Sequence, residues 1–179
     1  FYVKPELVVY PKNSLDISML LEYVSSKKKE GFDISIAMRS AGTCMTGGPL
    51  SNSIVVDTTR HMNHVTDANE HFATAESGVY YRDFEKRTLA EGWLMPSYPA
   101  SRELAAIGGI VSNNSGGEKI LAYGKTENCV QALDIVYANG ARDIVHAFSG
   151  VDLENKLKEE SEGGRIHKAM YDLITTNYD

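Results

Sequence analysis

Cysteine, histidine clusters and basic charge are all in short supply in this sequence, and each shortage removes a class of function. Only two cysteines occur, Cys44 and Cys129, with no CxxC pair between them. Neither a zinc ribbon nor a dithiol redox centre is indicated, and a reduced, cytoplasmic-type protein is expected. Lysine and arginine number 18 against 24 acidic residues, a net charge of -6 with no basic stripe. Nucleic acid is therefore not expected as a partner. No apolar run reaches the ~18–20 residues that cross a bilayer, so no transmembrane segment is expected, although peripheral attachment of a full-length protein to a membrane stays open. His61 and His64 stand three apart without a third ligand nearby, so no metal site is expected. No signal peptide is expected, and the sequence does not begin with methionine. With a strand-like run close to Phe1 and a helical pattern ending just before Asp179, it reads as a piece of a longer protein.

What is present suits one α+β domain. At 179 residues, 42% of them hydrophobic, the chain can bury a real core, built as two small lobes. Leu7-Val8-Val9-Tyr10 reads as a strand stopped by Pro11. Asn13 or Ser14 caps the helix that follows, with Asp16 in its first turn. Ile17, Leu20, Leu21 and Val24 make one apolar stripe, and Gly31 ends the helix after Lys27-Lys28-Lys29. Strands are expected at Asp33–Ala37, Ser53–Thr58 and Phe72–Glu76. Tyr81, Phe84, Thr88 and Leu89 predict a helix closed by Gly92, and Trp93, Leu94 and Met95 are core candidates. Gln131–Tyr137 and Asp143–His146 predict a hairpin turned at Asn139-Gly140. Leu153 with Leu157, and Ile166 with Met170, Leu173 and Ile174, predict two closing helices that carry no evident chemistry.

Glycine is where the pattern becomes specific. Arg39-Ser40-Ala41-Gly42-Thr43-Cys44-Met45-Thr46-Gly47-Gly48 lies between two strands. Such a loop can turn its amides inward as an anion-binding nest, with the fork of Arg39 donors beside it; an ordinary glycine-rich turn is the alternative. A second cluster runs through Pro99, Ser101, Gly108-Gly109, Asn113-Asn114-Ser115 and Gly116-Gly117 to Gly124. Two phosphate-friendly loops facing one another across a groove would account for both. The first loop is not GxGxxG, so a nicotinamide-type Rossmann site is a poor match.

The ordered set Arg39–Gly48, Val55–Asp57, Glu76–Val79, Pro99–Ser101, Ile107–Gly109, Asn114–Gly117, Tyr123-Gly124, Val130 and Asn139-Gly140 resembles the FAD-binding domain of the vanillyl-alcohol oxidase/p-cresol methylhydroxylase (PCMH-type) superfamily. The likeness runs from about Pro5 to Val145. It implies a two-lobed PCMH-type fold spanning 1–150. A small α/β lobe would occupy about 1–60, and a larger lobe of mainly antiparallel strands with helices about 61–150. Residues 151–179 would be a helical connection toward a missing substrate or cap domain. The resemblance implies FAD held between the lobes. Arg39, Ser40, Ala41, Gly42, Thr43, Cys44, Met45, Gly47 and Gly48 would wrap the pyrophosphate and ribose. Pro99, Ser101, Gly108 and Gly109 would lie along the flavin. Asn113, Asn114, Ser115, Gly116 and Gly117 would close over it, and Val130 would sit near the adenine end. Members with covalent flavin often carry histidine where Thr43 stands, so FAD should be non-covalent here.

The Ala-Gly-Thr-x-x-x-Gly-Gly form is most similar to the branch acting on D-2-hydroxy acids such as D-lactate and glycolate. The implied activity is a FAD-dependent dehydrogenase or oxidase taking hydride from a small 2-hydroxy acid and passing electrons to an acceptor. No residue in this chain stands out as a catalytic base; such groups belong to the cap in this family. A nucleotide-sugar reductase or another superfamily member is the alternative enzyme. A non-catalytic FAD- or nucleotide-binding module is the alternative outside enzymes. Its mark would be a filled or charged pyrophosphate loop, whereas Gly42, Gly47, Gly48 and Gly108-Gly109 leave these loops open.

Overall fold

The computed structural model of the protein describes residues 2–178. Its N-terminal part is a parallel three-stranded sheet in the order β1-β3-β2. Strand β1 is Leu7–Val9, β2 is Ile36–Arg39 and β3 is Ile54–Asp57; helix α1, Ser14–Lys29, crosses from β1 to β2. Parallel strands require such a crossover, because a tight turn would reverse the chain. Asn13 caps α1 by accepting from the amides of Leu15 at 2.9 Å and Asp16 at 3.1 Å. The expected stripe faces inward, with Ile17 and Val24 buried and Leu20 and Leu21 half-buried. Val24, Ile54 and Val56 form the centre of this layer, with Val9, Leu20, Ile34 and Ile36 around them. Val56 is completely buried, and burying a side chain of this kind contributes about 1.5–3 kcal/mol.

Strand β2 starts later than the apolar run Asp33–Ala37 implies. Pairing decides it: Ile36 lies opposite Ile54, the first residue of β3, and Arg39 lies opposite Asp57. The Ser35 amide instead donates to the Ser53 hydroxyl at 3.1 Å. The shift makes Arg39 the last strand residue rather than the first loop residue.

Two antiparallel pairs follow. Strand β4, Val65–Ala68, pairs with β5, Ala73–Ala75, and β6, Ala132–Val136, pairs with β7, Arg142–His146. Nothing in the sequence marks β4, because Thr66 and Asp67 are polar and exposed; its pairing with β5 alone makes it a strand. The β6–β7 turn falls at Asn139-Gly140 as expected. Asn139 accepts from the Ala141 amide at 3.0 Å, and the Ser18 hydroxyl donates to the Gly140 carbonyl, tying α1 to this turn.

The remaining helices are α2, Tyr81–Leu89; α3, Ile107–Ser112; α4, Ile120–Tyr123; α5, Gly150–Lys158; and α6, Glu162–Asn177. Val79, Tyr81, Phe84, Tyr98, Ala105 and Ile110 form a second core, with Trp93, Leu94 and Met95 packed against it. Tyr81 is buried with its hydroxyl donating to the Met95 carbonyl at 2.6 Å, so the polar tip of a core aromatic is satisfied. Part of the second glycine cluster is helix rather than loop: α3 contains Gly108 and Gly109. Among the described residues, no helix is long and apolar enough to cross a membrane.

Candidate functional site

The first glycine loop leaves the carboxyl end of β2, where open α/β sheets place ligands. Parallel register puts Arg39 beside Asp57, with Nε 3.9 Å from Oδ2. The other Asp57 oxygen accepts from the Thr59 amide at 2.9 Å and the Thr59 hydroxyl at 2.6 Å. This holds the carboxylate that orients Arg39. The Arg39 guanidinium lies over Gly42, where any Cβ would collide with it, and Gly42 has φ of +73°. The positive φ favours glycine there, and a Cβ would oblige the guanidinium to move aside. Gly47 also has positive φ, +80°.

Beyond Gly42 the Cys44 thiol lies beside the Thr46 hydroxyl, and the Gly47 amide donates to the Cys44 carbonyl at 3.4 Å. The Thr46 hydroxyl, then the amides of Gly48, Thr46 and Gly47, hold the Cys44 thiol below its ordinary value, with Sγ 3.1 Å from Thr46 Oγ1. Donors that favour a thiolate would equally favour a phosphate oxygen. Arg39, Gly42, Cys44, Met45, Thr46, Gly47, Pro49 and Leu50 surround a cavity of about 230 Å³ at this place. This donor set and glycine cradle fit a pyrophosphate. Ser40, Ala41, Gly42 and Gly47 are half-buried, while Thr43, Cys44, Met45 and Gly48 are exposed.

The two glycine segments meet at the carbonyl of Ser77. It accepts from the Ser40 hydroxyl at 2.7 Å and from the Gly108 amide at 2.8 Å. A Cβ on Gly108 would stand 2.7 Å from both the Cβ and the carbonyl oxygen of Ser77, so glycine sets how closely α3 approaches. A Cβ on Gly109 would find only Ser40 Cβ, at 3.8 Å, which leaves that backbone open on the side facing the first loop.

A third segment is bound to the second through buried polar contacts. The Ser115 carbonyl accepts from the Thr126 amide at 3.0 Å, the Thr126 hydroxyl at 2.8 Å and the Ser97 hydroxyl at 3.2 Å. Gly117 lies against the Tyr98 carbonyl with no room for a side chain, and the Tyr98 hydroxyl donates to Glu118 at 2.9 Å. Pro99 and Ser101 follow directly on this strap and are half-buried; Asn113 is exposed, Ser115 buried, and Asn114, Gly116 and Gly117 half-buried. Asn114 takes φ of +44°, unlike any other described non-glycine residue. Its side-chain oxygen accepts from the Glu127 amide at 3.0 Å.

Val130 lies elsewhere, in a groove of about 390 Å³ that it shares with Val111, Asn114, Glu127, Gln131 and His146, among others. The structure thus brings Ser40 together with Gly108-Gly109, and Asn114 together with Val130. Thr43 and Met45 stand clear at the surface. Sequence reasoning missed Ser77, Ser97, Tyr98, Thr126, Glu127 and His146 as parts of the site. Most of these act through backbone carbonyls or buried hydroxyls, for which sequence offers no signal. Among the described residues, no group of three or more His, Cys, Asp or Glu is placed to hold a metal ion.

Comparison with known proteins gives the family and the fold. Residues 5–144 match a family model described as FAD binding domain. The glycolate oxidase subunit GlcD of Bacillus subtilis is 32% identical over 183 aligned positions, covering 95% of this chain and 37% of that protein. The D-lactate dehydrogenase of Archaeoglobus fulgidus is 32% identical over 136 positions, covering 75% of this chain and 29% of its own length. In fold, 6-hydroxy-D-nicotine oxidase from Arthrobacter nicotinovorans superimposes with a TM-score of 0.71 at 19% identity, over 82% of this chain and 31% of the enzyme. The chain therefore spans about a third of the length of these proteins.

Proposed function

The chain belongs to the family of FAD-binding domains found in PCMH-type FAD-linked oxidases, and from that premise we propose that it forms the cofactor-holding part of an oxidoreductase acting on a small 2-hydroxy acid. The substrate class rests on the likeness to the glycolate oxidase subunit and the D-lactate dehydrogenase. When bound, FAD supplies the two-electron acceptor for a hydride from the hydroxyl-bearing carbon. The protein's own contribution is to bind, orient and enclose.

Arg39 to Met45 with Gly47 and Gly48 hold the pyrophosphate and ribose, through inward amides and the guanidinium that Asp57 orients. Pro99, Ser101, Gly108 and Gly109 lie along the flavin, where the open backbone at Gly109 permits close approach. Asn113 to Gly117 close over the cofactor, fixed by Ser97, Tyr98 and Thr126. The groove at Val130 takes the adenine end. Attachment is non-covalent, since the Thr43 side chain offers no imidazole for a flavin link. The groups that bind and deprotonate the substrate lie outside these 179 residues, a reading supported by the chain's one-third share of its relatives' length. On this reading 1–150 is the cofactor domain, and electrons pass on to a separate acceptor.

The observation that carries the proposal is the convergence of the Ser40 hydroxyl and the Gly108 amide on the Ser77 carbonyl, which joins the first glycine loop to the second. Titration of the chain with FAD, with FMN and NADH as controls, tests it. FAD should bind well and FMN much less. Gly47→Asp should abolish binding, because it sets a carboxylate into the anion nest at φ of +80°. Preference for NADH, or undiminished FAD affinity in Gly47→Asp, would overturn the assignment.

A further inference from the structure

We propose that Lys156 is a positioning residue for the adenine end of the cofactor site, and that α5 and α6 buttress the Val130 groove rather than merely leading away from it. The inference rests on the reading above that this groove takes part of FAD. Its observations are independent of the glycine loops.

Lys156 has only 6% of its side chain exposed. Its ammonium donates to Asp143 Oδ2 at 2.8 Å and to Glu159 Oε2 at 2.9 Å. Asp143 belongs to β7, opposite Ile135, and also accepts from the Tyr137 hydroxyl at 3.2 Å. Glu159 in turn accepts from the Ser161 hydroxyl at 2.9 Å, and Ser161 caps α6 by accepting from the Gly164 amide at 3.0 Å. Gly163, in the first turn of α6, is pressed against Asp143 and the Tyr137 hydroxyl, with no room for a Cβ. One buried ammonium thus joins α5, the start of α6 and strand β7.

The groove wall begins two residues on from Asp143. Val145, His146 and Ala147 line the groove, and the His146 ring lies 4.2 Å from the Phe148 ring. Phe148 meets His167 of α6 edge-on at 5.4 Å, and His167 Nδ1 is 2.7 Å from the Gly163 carbonyl oxygen. Lys156 Nζ is 5.7 Å from the centre of the Phe148 ring. Groove wall, Phe148, α6 and Lys156 therefore form a closed circuit of contacts.

A lysine this buried is tolerated only while its charge is paired; without it, the carboxylates of Asp143 and Glu159 lose the cation that holds them together. The helix pair would then part from β7, and the exposed His146 wall would lose its support.

Lys156→Met keeps the apolar stem and removes the charge. Titrated against the intact 179-residue chain, it should bind FAD and ADP more weakly, both by roughly 3- to 30-fold, while still melting cooperatively. The Asp143→Asn/Lys156→Met double variant, which removes the stranded carboxylate with its partner, should recover part of that loss. Affinity for FAD and ADP within twofold of wild type in folded Lys156→Met overturns the inference, as does a loss for FAD that ADP does not share. If Lys156→Met fails to fold, Asp143→Asn is read in the same way. Wild-type protein that binds neither FAD nor ADP overturns the functional reading and this inference with it; tight wild-type binding with unchanged variants overturns this inference alone.

Discussion

Gly108 and Gly109 are neighbours in α3, yet replacing each by alanine should move stability in opposite directions. Either substitution gains about 0.5–1 kcal/mol, because alanine loses less backbone entropy than glycine on entering a helix. At Gly108 the new methyl would stand 2.7 Å from the Cβ and the carbonyl oxygen of Ser77. Ser77 cannot withdraw freely, since its carbonyl accepts from Ser40 at 2.7 Å and from Gly108 at 2.8 Å. Overpacking of this kind costs about 1–3 kcal/mol, more than the helix gain. At Gly109 the nearest atom would be 3.8 Å away, so the helix gain stands alone. For a chain of this size, with about 2–4 °C per kcal/mol, Gly109→Ala should melt roughly 1–4 °C higher and Gly108→Ala up to about 10 °C lower. Thermal unfolding by circular dichroism without ligand measures both. Shifts of the same sign would refute the claim that Ser77 sets the position of α3. Adding FAD extends the test. The methyl of Gly109→Ala enters the open side proposed for the flavin, so the rise in Tm on adding FAD should shrink even though the ligand-free variant is the more stable. An undiminished rise would remove Gly109 from the site.

Asn114→Ala should cost about 1–3 kcal/mol, combining left-handed strain with loss of the bond to the Glu127 amide. Asn114→Gly should cost less because it loses only the bond, and equal losses in urea unfolding would show that the φ of +44° is not a constraint. Lys156, first by its hydrogen bond, holds the Asp143 carboxyl below its ordinary value of 3.8. A depressed carboxyl contributes stability that is complete above that value and is lost as pH falls through the lower folded value. Urea midpoints between about pH 2 and 5 should therefore fall more steeply in wild type than in Asp143→Asn, and parallel curves would refute the role given to this pair.

Much of the fold was legible because it depends on neighbours in sequence. The cap at Asn13, the stripe of α1 and the Asn139-Gly140 turn are each specified by a few adjacent residues. Other elements were not legible. Strand β4 is short and half polar, and exists only because β5 offers it a ladder. Helix α3 contains two glycines, poor helix formers, yet Gly108 is required there by the approach to Ser77. Lys156 sits in a helix whose pattern shows no evident chemistry, and only the folded chain shows it buried between two carboxylates. In the site, the glycine loops were visible as composition. The carbonyls of Ser77 and Ser115, which hold the segments together, were not, because a backbone acceptor is the same chemical group at every residue.

By itself the sequence determined which residues could turn, bend and approach: Gly42 and Gly47 for left-handed backbone, Gly108 and Gly117 for close contact, and Val56 and Tyr81 for burial. These are properties of single side chains, or of their absence. Tertiary structure alone decided that Ser40 and Gly108 share one carbonyl, that Arg39 ends a strand opposite Asp57, and that Lys156 lies buried between Asp143 and Glu159. Each of these joins residues far apart in the chain, and their meeting depends on sheet register and helix packing, which arise only when the whole apolar core is buried together.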